Sequence, residues 1–461
     1  MEFGGSTVGK FLATCSKSCL IIISATFLIS ALIGRTFPYF SAVMAVILFL
    51  STLFRMSPTY KKPTYVFLSL GLIVMILNQS SFDIWIKGLN AGLTVVAIMN
   101  IMQVFCLPME LGHYEKSLSV FLCSYAKVES VIFAFLAALS HTLAVILNMG
   151  SVLVMLAIIG EDITGQLKKP TEFVSKAIAR GYAMVFFWAP SSATMMILVQ
   201  TFNLEWRKYV GPAITMAIAF IIVGFLFELP RLSKEPLKPI ALQPNESPKN
   251  SIFRLSHLVI VVVTISFAVA FLEIIKFSDS TGRILLVSFA IAIIWLLFFV
   301  KSPEFMPKLR DYKKNKMGQS ADICIFFMAM SFFSTAFGDS QATKIITVFF
   351  EAHADVIGKF ILFILPLLVI ALAMMGLHSF ASLVLIGSLV TVLPISASPY
   401  QMALSLALGA CLSYTVSPFS GVALMISNHM KKPSFSISLK YNYIYCIVCY
   451  FLGTISISMF F

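Results

Sequence analysis

Two histidines set in apolar sequence are the residues best placed to do chemistry in this chain. His141 is followed nine residues later by Gly150-Ser151, and His378 nine residues later by Gly387-Ser388. A neutral imidazole donates or accepts a hydrogen bond, and its pKa near neutrality suits proton transfer. The competing reading of a lone histidine in such a setting is a satisfied core residue. Each pattern is followed by a second apolar segment interrupted by proline: Ala189-Pro190-Ser191-Ser192 in the first half and Ser417-Pro418-Phe419-Ser420-Gly421 in the second. The histidines are offset by 237 residues and the prolines by 228. A proline inside a helix removes an amide and frees carbonyls in the preceding turn. Carbonyls freed beside Ser191, Ser192 and Thr194, and beside Ser417, Ser420 and Gly421, make a reasonable cation site for Na+ or H+. A simple helix kink is the alternative. Gln200 and Asn428 repeat the proline offset further along.

The surroundings decide which chemistry is open to these residues. The chain has 461 residues, 59% hydrophobic and 11% charged, and many stretches reach the ~20 apolar residues that cross a bilayer. It is read as an all-α polytopic membrane protein, which closes the soluble classes. The net charge of +13 belongs to loops between spans, as expected for cytoplasmic loops of membrane proteins rather than for nucleic-acid binding. The eight cysteines have no metal-ligand spacing and read as reduced core residues. HExxH, GxSxG, P-loop and aspartate-rich motifs are absent, so no enzyme class is indicated. A lipid-modifying membrane enzyme using His141 or His378 is a minor alternative.

Spans are expected at about 18–34, 38–54, 64–79, 88–106, 181–202, 209–228, 256–275, 281–300, 320–337, 402–429 and 437–460, with amphipathic interfacial stretches at 108–127 and 338–355. The segments 128–160 and 357–394 read as re-entrant hairpins. A polar loop holding Lys168, Lys169, Lys176 and Arg180 is expected between the first hairpin and the Pro190 span. Placing every strongly basic loop on the cytoplasmic side gives eleven spans plus two hairpins that enter from opposite faces, with a cytoplasmic N-terminus in the inner (plasma) membrane. The domain reading is an extra helix over 1–35, a first inverted repeat over 36–229, a linker over 230–255 and a second inverted repeat over 256–461. Interrupted segments at matching places in two halves point to a transporter's binding site.

Non-helical backbone at membrane depth survives only when buried in protein or lining a watery cavity. The first hairpin turn is expected at Ser140-His141-Thr142, with Asn148 following, and the second at Gly376-Leu377-His378-Ser379. Hydroxyls, amides and helix N-termini at these turns suit a carboxylate or a small cation. Interhelical hydrogen bonding is the alternative for the same residues. Substrate is assigned to Ser140, His141, Thr142, His378, Ser379, Ser192 and Ser420. The coupling cation is assigned to Asn148, Pro190, Ser191, Thr194, Ser417, Pro418 and Gly421. Deep acids are scarce, since Glu129, Glu273 and Asp322 sit near span ends, and no deep Arg or Lys is evident.

Two halves with a hairpin and a proline-broken helix each resemble the ion transporter superfamily, and within it the divalent anion:sodium symporter family of dicarboxylate and citrate carriers. That family carries Ser-Asn-Thr at both tips; here the tips read Ser140-His141-Thr142 and Leu377-His378-Ser379. The resemblance implies symport of small organic anions such as di- or tricarboxylates with Na+ or H+ and no other cofactor. It also implies roles for Ser140, Thr142 and Ser379 in holding carboxylates and sodium, an elevator motion and a homodimer. A Na+/H+ or inorganic-anion antiporter of the same superfamily is the alternative.

Overall fold

The computed structural model describes residues 7–460 apart from 115–116, 118–119, 122–123, 125–126, 148–149, 191, 235–247, 314–320, 342–344, 346–347, 349–351, 353, 378 and 392–396. The described chain is helical, and nine of its helices are long and apolar enough to cross a membrane. The chain divides into two compact units that both draw on its two halves.

The first unit comprises Met1–Leu111, Phe271–Lys359 and Val384–Ser396. It holds α1 (Thr7–Ile33), α2 (Pro38–Thr52), α3 (Pro58–Leu77), α4 (Phe82–Ala91), α5 (Leu93–Gln103) and α6 (Cys106–Leu111). Prolines at the first turns of α2 and α3 suit positions whose amides have no intrahelical partner. Leu20, Ile23, Leu48, Leu93, Val96 and Met328 lie in one buried cluster.

The second unit comprises Gly112–Ala270, Phe360–Leu383 and Ala397–Phe461. Its first-half helices are α7 (Glu129–Leu147), α8 (Gly150–Thr164), α9 (Pro170–Ala183), α10 (Ala193–Thr201) and α11 (Trp206–Glu228). α12 (Pro248–Ile274) leads into α13 (Ser280–Leu297), α14 (Phe305–Asp311) and α15 (Ala321–Gly338) of the first unit. Then come α16 (Ala354–Met374) and α17 (Ser379–Val390), of which the second unit holds 360–374 and 379–383, and α18 (Pro399–Val416), α19 (Gly421–Met430) and α20 (Tyr441–Phe460), with a π-helical turn over Ser436–Lys440. α18 starts with Pro399 behind a capping box: Gln401 N donates to Ser398 Oγ at 3.1 Å, and Ser398 N donates to Gln401 Oε1 at 2.9 Å, satisfying two otherwise orphaned amides.

Two contacts allow backbones to approach closely in this unit. A Cβ on Gly181 of α9 would lie 2.2 Å from the Ala137 carbonyl oxygen of α7. A Cβ on Gly409 of α18 would lie 2.7 Å from Cα of Pro366 in α16. Gly181 and Gly409 share the offset of Pro190 and Pro418.

The structure departs from expectation at three places. The polar loop expected over Lys168–Arg180 is helix α9 from Pro170 onward, with Lys176 and Arg180 each 3% exposed. The linker expected over 230–255 is shorter, because α12 already begins at Pro248. The turn expected at Ser140-His141-Thr142 is uninterrupted helix through Leu147. Thr142 Oγ1 donates back to the Ala138 carbonyl at 2.9 Å, a bond that lets a hydroxyl residue sit inside a helix.

Candidate functional site

In the second unit, two helices break and resume. α9 tightens into a 3-10 turn over Met184–Phe187, passes Pro190 and resumes at Ala193. Ser192 caps the new helix by accepting from Met195 N at 3.4 Å. Thr194 is fully buried, and its Oγ1 meets no hydrogen-bond partner among the described residues. α18 ends at Val416 and α19 begins at Gly421. Ser417 Oγ donates to the Ala373 carbonyl at 2.7 Å and accepts from Phe419 N at 3.2 Å. Ser420 Oγ donates to the Tyr414 carbonyl at 3.0 Å and caps α19 by accepting from Ala423 N at 3.2 Å. Ser192 and Ser420 are thus matching caps at the proline offset, and each opens a helix whose N-terminal amides favour negative charge.

Two further helix starts lie in the segments expected as hairpins. α7 and α8 pack against each other; the residues between them, 148–149, and with them the cation candidate Asn148, lie outside the described residues. In the second segment expected as a hairpin, the helix stops after α16 and resumes at α17. Gly376 takes φ +95°; its amide donates to the Ala373 carbonyl at 3.2 Å and that of Leu377 to the Leu372 carbonyl at 3.0 Å. This is a Schellman cap, with glycine at the left-handed position. Ser379 opens α17 and shares a hydrogen bond with Ser413 Oγ of α18. Ser382, one turn further, is fully buried with no described partner for its Oγ. His378 and Ser191 lie outside the described residues.

Ser140, His141 and Thr142 sit along α7 rather than at its end. Ser140 Oγ donates to the Ile178 carbonyl of α9 at 3.0 Å. His141 Nδ1 lies 3.2 Å from the Gly181 carbonyl oxygen, and Trp188 Nε1 donates to His141 Nε2 at 3.1 Å. A carbonyl only accepts and an indole N–H only donates, so these partners select the neutral Nδ1–H tautomer. At the proline offset, His141 corresponds to Val369, and His378 to Gly150 beside the first hairpin turn. The two histidines therefore do not occupy equivalent places.

Sequence reasoning missed three features. Phe186, before the first break, stacks on Tyr414, before the second, with ring centroids 4.1 Å apart and planes at 10°. These two residues also share the proline offset, a signal that was present in the chain. Trp188 fixes His141 to the first break. The third is a buried ionic cluster that places two cations, Lys176 and Arg180, deep in the protein. Glu228 pairs with Lys176 at 2.9 Å and Arg180 at 3.2 Å. Lys176 also meets Glu172 at 2.6 Å. Arg180 donates to Asn442 Oδ1 and the Gly224 carbonyl, and its guanidinium lies 4.4 Å from the Tyr445 ring centre. Charges are buried only when paired and bonded in this way. The i, i+4 series Glu172, Lys176, Arg180 after Pro170 was its trace in the sequence.

No protein-family profile matches the chain, and no curated protein matches it. Solved structures do. The YdaH transporter of Alcanivorax borkumensis, described as having an unusual topology, aligns with 87% of this chain and 99% of its own at 12% identity and a TM-score of 0.57. MtrF of Neisseria gonorrhoeae, described as illuminating a class of antimetabolite efflux pumps, aligns with 86% of this chain and 95% of its own at 13% identity and a TM-score of 0.46. At such identity the first likeness is one of fold. Neither is described as a dicarboxylate or citrate symporter, the family that the hairpin tips resemble.

Proposed function

We propose that this chain is a secondary active transporter of small organic anions, di- or tricarboxylates among them, coupled to Na+ or H+. The observation that carries the reading is the matched pair of interrupted helices. Each stops at a proline and resumes from a serine cap, Ser192 or Ser420, so that fresh helix N-termini are presented by both halves in one unit. The starts of α8 and α17 add two more. Helix N-termini and hydroxyls supply a carboxylate site without a deep arginine. The buried hydroxyls of Thr194 and Ser382 supply oxygen ligands of the kind a small cation takes. The fold shared with the YdaH transporter supports transport as the activity. Inverted repeats, a homodimer, an elevator motion and a cytoplasmic N-terminus complete the proposal on the loop charges and the tip resemblance.

Cation/proton antiport is the second reading, favoured by Thr194 and Ser382. The deciding experiment is thermal unfolding of the purified protein against succinate, citrate, malate, lactate and inorganic anions, each crossed with Na+, Li+, K+ and pH. A ligand that binds only the folded state adds about 2.7 kcal/mol at a hundredfold excess over Kd. The expected result is stabilisation by one organic anion that requires Na+ or low pH. A shift with cations alone rejects symport in favour of antiport.

A further inference from the structure

Glu129, the first residue of α7, is 4% exposed, and its carboxylate ties two distant segments to the base of the hairpin. Its Oε1 accepts the Lys168 amide at 3.2 Å, and its Oε2 accepts the Ser233 amide at 2.6 Å. All three segments carry exposed cations. Lys127 lies two residues before Glu129, Lys168 and Lys169 lie between α8 and α9, and Arg231 and Lys234 follow α11. Among the described side chains, the acids at this place are already engaged. Glu129 holds the two amides, Glu228 holds Lys176 and Arg180 and lies 3.5 Å from Arg231, and Glu172 holds Lys176 and Lys169. Among the described side chains, the exposed charge left over is positive.

The same end of α11 carries an apolar stripe. Ile218, Ile222, Leu226 and Leu229 follow one another at spacings that share a helix face, and they are 42–55% exposed. α7 packs against α11 and adds exposed Val131, one turn from Lys127. α11 is long and apolar enough to cross a bilayer, so a stripe of this kind meets acyl chains. It ends where the cations begin.

We infer that this basic crown and the stripe beneath it bind one anionic phospholipid. The phosphate sits among Lys127, Lys168, Lys169, Arg231 and Lys234, and an acyl chain lies along α11. Basic residues at a membrane surface attract anionic lipid in general. Here their backbones are also fixed to one another through a single buried carboxylate, which a loop that merely follows membrane orientation does not require.

The test uses the full-length protein purified in a mild detergent. It is titrated with a phosphatidylglycerol, with a phosphatidylcholine of the same chains, and with inorganic phosphate. Bound lipid is counted by native mass spectrometry and unfolding is followed by heating. One phosphatidylglycerol retained per chain, with a saturable rise in stability that phosphatidylcholine does not reproduce, is the expected result. Combining Lys127→Gln, Lys168→Gln, Lys169→Gln and Lys234→Gln weakens that affinity at least about tenfold; Lys61→Gln with Lys62→Gln, in α3, does not. Salt at 1 M, where screening acts over about 3 Å, produces the same loss in the unaltered chain and covers a quadruple variant that fails to fold. Equal retention of the two lipids, or an affinity that neither salt nor the substitutions change, overturns the proposal. Inorganic phosphate that competes at lipid concentrations overturns the lipid as ligand and leaves a free-phosphate site.

Discussion

His141 shows how much a single residue's surroundings decide. Its rarity in apolar sequence marked it out, but its role depends on two partners that packing supplies. The Gly181 carbonyl comes from α9 and the Trp188 indole from the first break. No pattern around position 141 states which carbonyl or indole will face it, so the donor–acceptor pairing was not legible. The pairing yields a prediction. His141→Gln keeps one donor and one acceptor on a side chain of similar reach. His141→Ala leaves the indole N–H of Trp188, itself only 5% exposed, without its acceptor, and an unsatisfied buried donor costs about 1–3 kcal/mol. Thermal unfolding should therefore rank wild type above His141→Gln and His141→Ala lowest, by about 2–4 kcal/mol in total once the cavity is included. Equal losses in the two variants would assign the residue to packing alone. Lys176 and Arg180 teach the converse lesson. Charge density made their segment look like a loop, because their neutralising partner Glu228 lies on another helix.

At the level of elements, what proline and glycine dictate locally was readable, and what a neighbouring helix dictates was not. Both breaks fall where Pro190 and Pro418 place them, and α16 is capped at Gly376, whose φ of +95° suits glycine. The first turn was placed too early, because small polar residues at 140–142 imitate a tip while their hydroxyls bond within and between helices. Gly181 gives the sharpest test of close packing. The Cβ of Gly181→Ala would meet backbone, the Ala137 carbonyl oxygen at 2.2 Å, so α7 and α9 must separate. Gly181→Ala should lower stability by about 1–3 kcal/mol, as overpacking does. Chemical or thermal unfolding of the variant beside wild type checks the loss. A neutral Gly181→Ala would show that these helices are free to shift apart.

For the molecule as a whole, the proline offset does more than mark a repeat. Besides Gln200 and Asn428, four pairs of residues obey it: Gly181 and Gly409 at close helix approaches, Phe186 and Tyr414 in one stack, Pro190 and Pro418 at the breaks, Ser192 and Ser420 as caps. The Phe186–Tyr414 stack is a contact between matching positions of the two interrupted helices. The ionic cluster of Lys176, Arg180 and Glu228 has no such mate, since Leu404 and Leu408 stand at the offset positions of the two cations. The repeat is thus kept at the breaks and abandoned at the anchors, as expected if the breaks carry an activity that needs both halves. The stack then predicts coupling of a definite kind. Phe186→Leu and Tyr414→Leu should each destabilise, and the double variant should lose less than the two losses combined by about 0.5–1.5 kcal/mol, the usual worth of an aromatic pair. With the anion and cation found by thermal unfolding, uptake into proteoliposomes should fall by a similar factor in either single variant, because each disturbs the same contact between the interrupted helices. Loss of transport in one variant alone, with additive stabilities, would reduce the stack to packing within one half and remove the contact from the mechanism.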